Sequence, residues 1–135
     1  MTDAGQRGAL ARELSNQIAL VLRNYTGRGP TRTHVFIESD VVTCVLRGCL
    51  TKGEQRLVEA DQRDAVLRMR RTYQEAMSAE LTATVEKLTG RRVTAHLNDY
   101  AVGPDVAIEA FVLEVAWKPG SDLSDPVDRN TARGG

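Results

Sequence analysis

The chain has 135 residues, 41% of them hydrophobic and 27% charged, with 18 basic side chains against 18 acidic ones. That length sets one domain around one core, and the balanced charge excludes both an acidic disordered chain and a strongly basic nucleic-acid binder. The cations are 15 Arg and three Lys, a bias that suits anion recognition and a compositional habit of the source genome equally well.

The segment Met1 to Leu10 carries Asp3 and two glycines, with no basic lead into an apolar run. It does not read as a secretory signal, so a cytoplasmic chain is expected. From Leu10 onward Leu14, Ile18, Val21, Leu22 and Tyr25 recur at spacings of three and four, which predicts a helix over Ala4 to Tyr25. Gly27 and then Gly29-Pro30 end it. Alternation over Thr33 to Glu38 and a second β-rich run over Val41 to Leu46, separated by Ser39-Asp40 alone, predict a β-hairpin. Cys44 and Cys49 are five apart, and that odd spacing on one strand points them to opposite faces as free thiols.

Thr51-Lys-Gly-Glu54 fits a capping box and opens a helix at Lys52. Asp61-Gln62 interrupts it, and the stripe Val66, Met69, Tyr73, Met77, Leu81, Val85, Leu88 then predicts a long helix ending at Thr89-Gly90. Val93, Ala95 and Leu97 alternate with Thr94, His96 and Asn98, giving a third strand that ends near Asp99. A longer loop over Asp99 to Asp105 leads to a fourth strand over Val106 to Val115. The run Val106 to Trp117 is interrupted by Glu109 and Glu114 and falls far short of the roughly 18–20 apolar residues that span a bilayer. Residues 1–117 therefore form one domain and residues 118–135 a flexible tail.

The order α-β-β-α-α-β-β predicts an α+β two-layer sandwich, a four-stranded, mainly antiparallel sheet with both main helices on one face. Parity then places His34, Phe36, Thr94, His96, Phe111 and Leu113 on the opposite, uncovered face. A partly apolar surface of that kind is suited to a second copy or another partner, with the stretch around Trp117 as an alternative cover.

Candidate chemistry is sparse. Arg28, between Gly27 and Gly29-Pro30, makes a glycine-rich turn carrying a cation, but it follows a helix C-terminus, where the dipole disfavours anions. His34, His96 and Asp99 are the candidate ligand or acid/base set, without the spacing of a metal motif. Arg68, Arg70 and Arg71, interleaved with carboxylates, read as a solvated helix face. No nucleophile elbow, Walker pattern or dinucleotide fingerprint occurs. No cofactor or metal is expected.

The run Tyr25-Thr-Gly-Arg-Gly-Pro30, with Thr33-His-Val-Phe-Ile37, Asp40-Val-Val42, Gly48-x-Leu-Thr51 and Glu54-x-x-Leu57, resembles a small bacterial domain family. That family is described as the C component of a Na+-translocating, membrane-potential-generating system. The helix over Tyr73 to Leu88, Leu88-Thr-Gly90 and the strands ending at Asp99 and Glu114 extend the resemblance over Ala4 to Val115. It implies an accessory member of a membrane ion or inorganic-carbon transport system, and it supplies no catalytic residues.

The resulting expectation is a non-enzymatic accessory domain that docks a membrane transporter subunit or a second copy. Arg28, Gly29, His34, Phe36, His96, Asp99 and Phe111 are its candidate binding residues, with no nucleic-acid partner and no direct membrane insertion. It would be cytoplasmic, or peripheral to the inner membrane through its partner. The alternative is a small-ligand or metal-binding module built on His34, His96 and Asp99.

Overall fold

The computed structural model describes residues 3–122. The elements are α1 (Asp3–Thr26), β1 (Arg32–Glu38), β2 (Val41–Arg47), α2 (Lys52–Glu59), α3 (Arg63–Thr89), β3 (Val93–Val102) and β4 (Asp105–Leu113). The strands form one antiparallel sheet in the order β1-β2-β4-β3, with α1 packed on α3 and β1, and α3 packed on β3. This is the two-layer α+β arrangement that the element order predicts.

The helices form where the apolar stripes require them. Leu14, Ile18, Val21 and Leu22 of α1 and Val66, Met77, Leu81 and Val85 of α3 are buried against Val35, Ile37, Val42, Cys44, Leu46, Phe111 and Leu113 of the sheet. Each such side chain contributes about 1.5–3 kcal/mol when fully removed from water. The capping box is present. Thr51 Oγ1 accepts from the backbone N–H of Glu54 (3.2 Å), and the Glu54 carboxylate accepts from the N–H of Thr51 (2.9 Å). Gly90 ends α3 in the left-handed region at φ +67°, and a Cβ there would run into the backbone of Ser121. The expected tail is described only as far as Asp122, and residues 123–135 lie outside the described residues.

Three expectations are corrected. The β3–β4 connection is a two-residue turn at Gly103-Pro104, because Tyr100 and Val102 bury inward and carry β3 past Asp99. The Tyr100 hydroxyl donates to Asp105 Oδ1 (2.6 Å) across that turn. Arg70 is not on a solvated face. Arg68 and Arg71 are exposed, but Arg70 lies buried between α3 and α2. Its Nε donates to Glu54 (2.7 Å), its Nη2 donates to the other Glu54 oxygen and to the Cys49 carbonyl (2.7 Å), and Tyr73 and Tyr100 flank it. Glu54 is thus shared between a helix cap and a buried ion pair.

The third correction concerns the faces of β3 and β4. Val93 pairs with Leu113 but Ala95 pairs with Val112, so Thr94 is an extra residue, and this bulge reverses the parity of the rest of the strand. His96, Asn98 and Tyr100 consequently point toward the helices, and Ala95, Leu97 and Asp99 point away. On β4 it is Ala107, Glu109, Phe111 and Leu113 that face inward. Phe111 is fully buried, so neither it nor Leu113 belongs to the open face. The buried Glu109 carboxylate defeats the parity argument there, because a charged residue marks its strand positions as wet unless something inside neutralises it.

Candidate functional site

The sheet face turned away from the helices presents an ordered array of side chains. The strand registers place its side chains in four rows across β1, β2, β4 and β3. The first row is Glu38, Val41, Val112, Ala95, and the second Phe36, Thr43, Ala110, Leu97. The third is His34, Val45, Ile108, Asp99, and the fourth Arg32, Arg47, Val106, Ala101. The interior of this grid, Thr43, Ala110, Val45 and Ile108, is apolar but for the Thr43 hydroxyl. Phe36 is 49% exposed, Ile108 46% and Leu97 57%, while the smaller residues among them are partly shielded by their neighbours. The His34 and Phe36 rings stack at 4.3 Å. Charge is confined to the margin: Arg32 and Arg47 at one end, Glu38 at the other end of β1, and Asp99 on the β3 edge. Among the described residues Glu38, Arg32 and Arg47 have no ion-pair partner.

β4 explains why such a face exists. Its outward residues Val106, Ile108, Ala110 and Val112 are as apolar as its inward ones, the composition of a strand covered on both sides. The described part of the segment after β4, as far as Asp122, does not supply the cover. Trp117 packs against the core on the α1 side, with the Arg7 guanidinium 5.9 Å over its ring.

Beneath the sheet lies a buried polar array that the sequence reading missed. Ser78 Oγ of α3 is 2.7 Å from His96 Nδ1, and His96 Nε2 is 2.6 Å from Glu109 Oε2, with the His96 ring stacked on Phe111 at 4.4 Å. The side chains of His96 and Glu109 are 7% and 2% exposed. A hydroxyl both donates and accepts, so Ser78 satisfies Nδ1 in either protonation state of the ring, while Nε2–H donates to the carboxylate. The residue types are those of a hydrolytic triad. The surroundings are not: Ser78 lies inside a continuous helix whose N–H groups are committed to the ladder, which leaves no donor pair for an oxyanion. The array ties α3 to the sheet.

The remaining candidates do not converge. His34 and Asp99 share the open face but stand on opposite edge strands, and His96 is on the other side of the sheet. Among the described residues no group of three His, Cys, Asp or Glu side chains is placed to hold a metal ion. Arg28 Nε donates to the Gly48 carbonyl (3.3 Å), and its backbone N–H donates to Thr26 Oγ1, so Arg28 and Gly29 belong to a structural reversal. Both cysteines are free and buried. Burial pushes the Cys44 thiol up to about 12, with the Glu109 charge adding to it, and burial and Asp105 push Cys49 up to about 11. An open hollow of about 570 Å³ at the α2–α3 turn is lined mainly by polar groups, among them Asp61, Gln62, Arg63, Asp64 and Arg68. It lacks the apolar walls of a small-molecule site.

Phe36, His34 and, at the β3 edge, Asp99 are thus the expected residues that the structure leaves on the open face, joined by Leu97, Ile108, Val45 and Val112. The sequence signal for these was the two-sided apolarity of β4. Searches among curated proteins and among solved structures returned no match. A family model described as the Na+-translocating membrane potential-generating system matches residues 6–115, which takes in every element from α1 to β4 but the first turn of α1. By that match the chain belongs to the MpsC family, the family of the Na+-translocating membrane potential-generating system.

Proposed function

We propose that this chain is a docking component of a Na+-translocating, membrane-potential-generating system, that it carries out no chemistry of its own, and that the open sheet face makes its protein–protein contact. The observation that carries this reading is the apolar grid centred on Phe36, Leu97 and Ile108, which no described part of the chain covers. An exposed apolar patch with a charged margin is the composition of a protein interface: a desolvated centre and a polar rim. Among the described residues no helix is long and apolar enough to cross a membrane. In this reading, association with the membrane system runs through another protein.

The test uses two outward substitutions, Leu97→Lys and Ile108→Lys, made together. Surface changes on a sheet cost little, under about 1 kcal/mol, so the fold and urea midpoint should be retained. In cells that depend on this chain, the Na+-dependent membrane potential, read with a voltage-sensitive dye, should be lost. Full potential in the double variant would reject the face as the working surface. Loss of the potential in Ser78→Ala, with the double variant unaffected, would point to chemistry at the buried array instead.

A further inference from the structure

Resting on the docking reading, we infer that the occupant of the open face is a second copy of the same chain, packed face to face about a two-fold axis that lies between the sheets and runs across the strands. The argument is self-complementarity. Such an axis keeps β1 over β1 and reverses its direction. Rows one and four then oppose each other, as do rows two and three. Glu38 of each copy comes over Arg32 of the other, with Arg47 beside it, and both ends of the interface acquire a matched pair of opposite charges. The two His34–Phe36 stacks meet, and Ile108 meets Ala110, a large side chain against a small one.

A two-fold axis along the strands does worse. It would set Arg32 and Arg47 over Ala101 and Val106 and Glu38 over Ala95, which leaves three full charges without partners and gains only Asp99 over His34. Of the four charged side chains on this face, a two-fold across the strands brings Glu38, Arg32 and Arg47 together, while Asp99 on the β3 edge comes over Leu97. Aligned sheets pack at an angle of about 30°, an offset that the long arginine side chains can span.

Size is consistent with this. Four strands about 4.8 Å apart and seven residues long give a face of roughly 19 by 24 Å. Two such faces remove about 900 Å² before side-chain relief is counted, just under the ~1,000 Å² that a specific interface should clear, which is the range of a weak dimer. An isologous contact of this kind closes on itself and leaves the helical layer of both copies free for other subunits.

Sedimentation equilibrium of the full chain tests the arrangement. The wild type should dimerise, Glu38→Arg and Arg32→Glu should each weaken the dimer by about tenfold or more, and the two together should recover most of that loss. The rescue is the decisive reading, since a folding defect in either variant would not be repaired by the other. A chain that stays monomeric at about 100 µM, a dimer indifferent to both single changes, or a double variant without recovery overturns the proposal. A monomeric wild type whose potential is still abolished by Leu97→Lys with Ile108→Lys would retire self-pairing alone. A dimer broken by that pair with the potential intact would retire the docking reading.

Discussion

Cys44 and Cys49 sit where a negative charge is least welcome, one on the inner face of β2 under the helices and one just beyond the strand beside Asp105. Their thiols hold protons far above the ordinary value of 9.0, to about 12 and about 11, with burial as the first cause of each shift. Burial also raises the Tyr100 hydroxyl, followed by its hydrogen bond to Asp105. The consequence for stability has a definite sign. An unfolded chain releases these protons from about pH 9 upward while the folded chain keeps them, so the unfolded state holds fewer protons and stability falls as pH rises. The contribution is complete below pH 9 and is lost between about pH 9 and the raised values. The urea midpoint should therefore drop between pH 9 and pH 11, and less steeply in Cys44→Ala with Cys49→Ala. A midpoint that holds level across that interval would contradict the burial argument.

At the scale of elements, local chemistry was legible and partner-dependent chemistry was not. The α1 and α3 stripes, the Ser39-Asp40 hairpin and the Thr51–Glu54 box all rest on residues within a few positions of each other, and all are present, although Tyr25 of the first stripe and Met69 of the second are exposed. Arg70 could not be read as buried, because its partners Glu54 and Cys49 are 16 and 21 residues away. The same holds for β3, whose alternation Val93, Ala95, Leu97 is genuine in the sequence but is interrupted by a bulge that only pairing with β4 defines. His96 and Glu109 then excuse each other's burial, which neither announces alone. The two kinds of interaction should differ in weight. Thr51→Ala removes one cap hydrogen bond and should cost about 0.5–2 kcal/mol, whereas Arg70→Ala strands a buried carboxylate and should cost about 3–5 kcal/mol. Urea denaturation of the two variants side by side checks this, and equal losses would mean that the Arg70 pair is solvated in the native state.

Across the whole molecule the open face and the strand order have a common origin. Both α1 and α3 are spent on one side of the sheet, so the other side is left as a wall whose composition suits cover. The strand order also divides the chain into two like units, α1-β1-β2 and α3-β3-β4, each a helix followed by its own hairpin, and the backbone passes between them once, through α2. What joins them in the sheet is a seam of seven residue pairs, from Val41 opposite Val112 to Arg47 opposite Val106. Neither unit can bury its hairpin alone, since α1 and α3 pack on each other as well as on their strands. The molecule is in this sense a zipped pair held by one thread. Cutting the thread between Asp61 and Gln62, both exposed, should leave fragments 1–61 and 62–135 that reassemble when co-expressed, visible as co-purification with native circular dichroism. If the fragments fail to find each other, the continuity of the backbone through α2, and not the seam, is what holds the two halves in register.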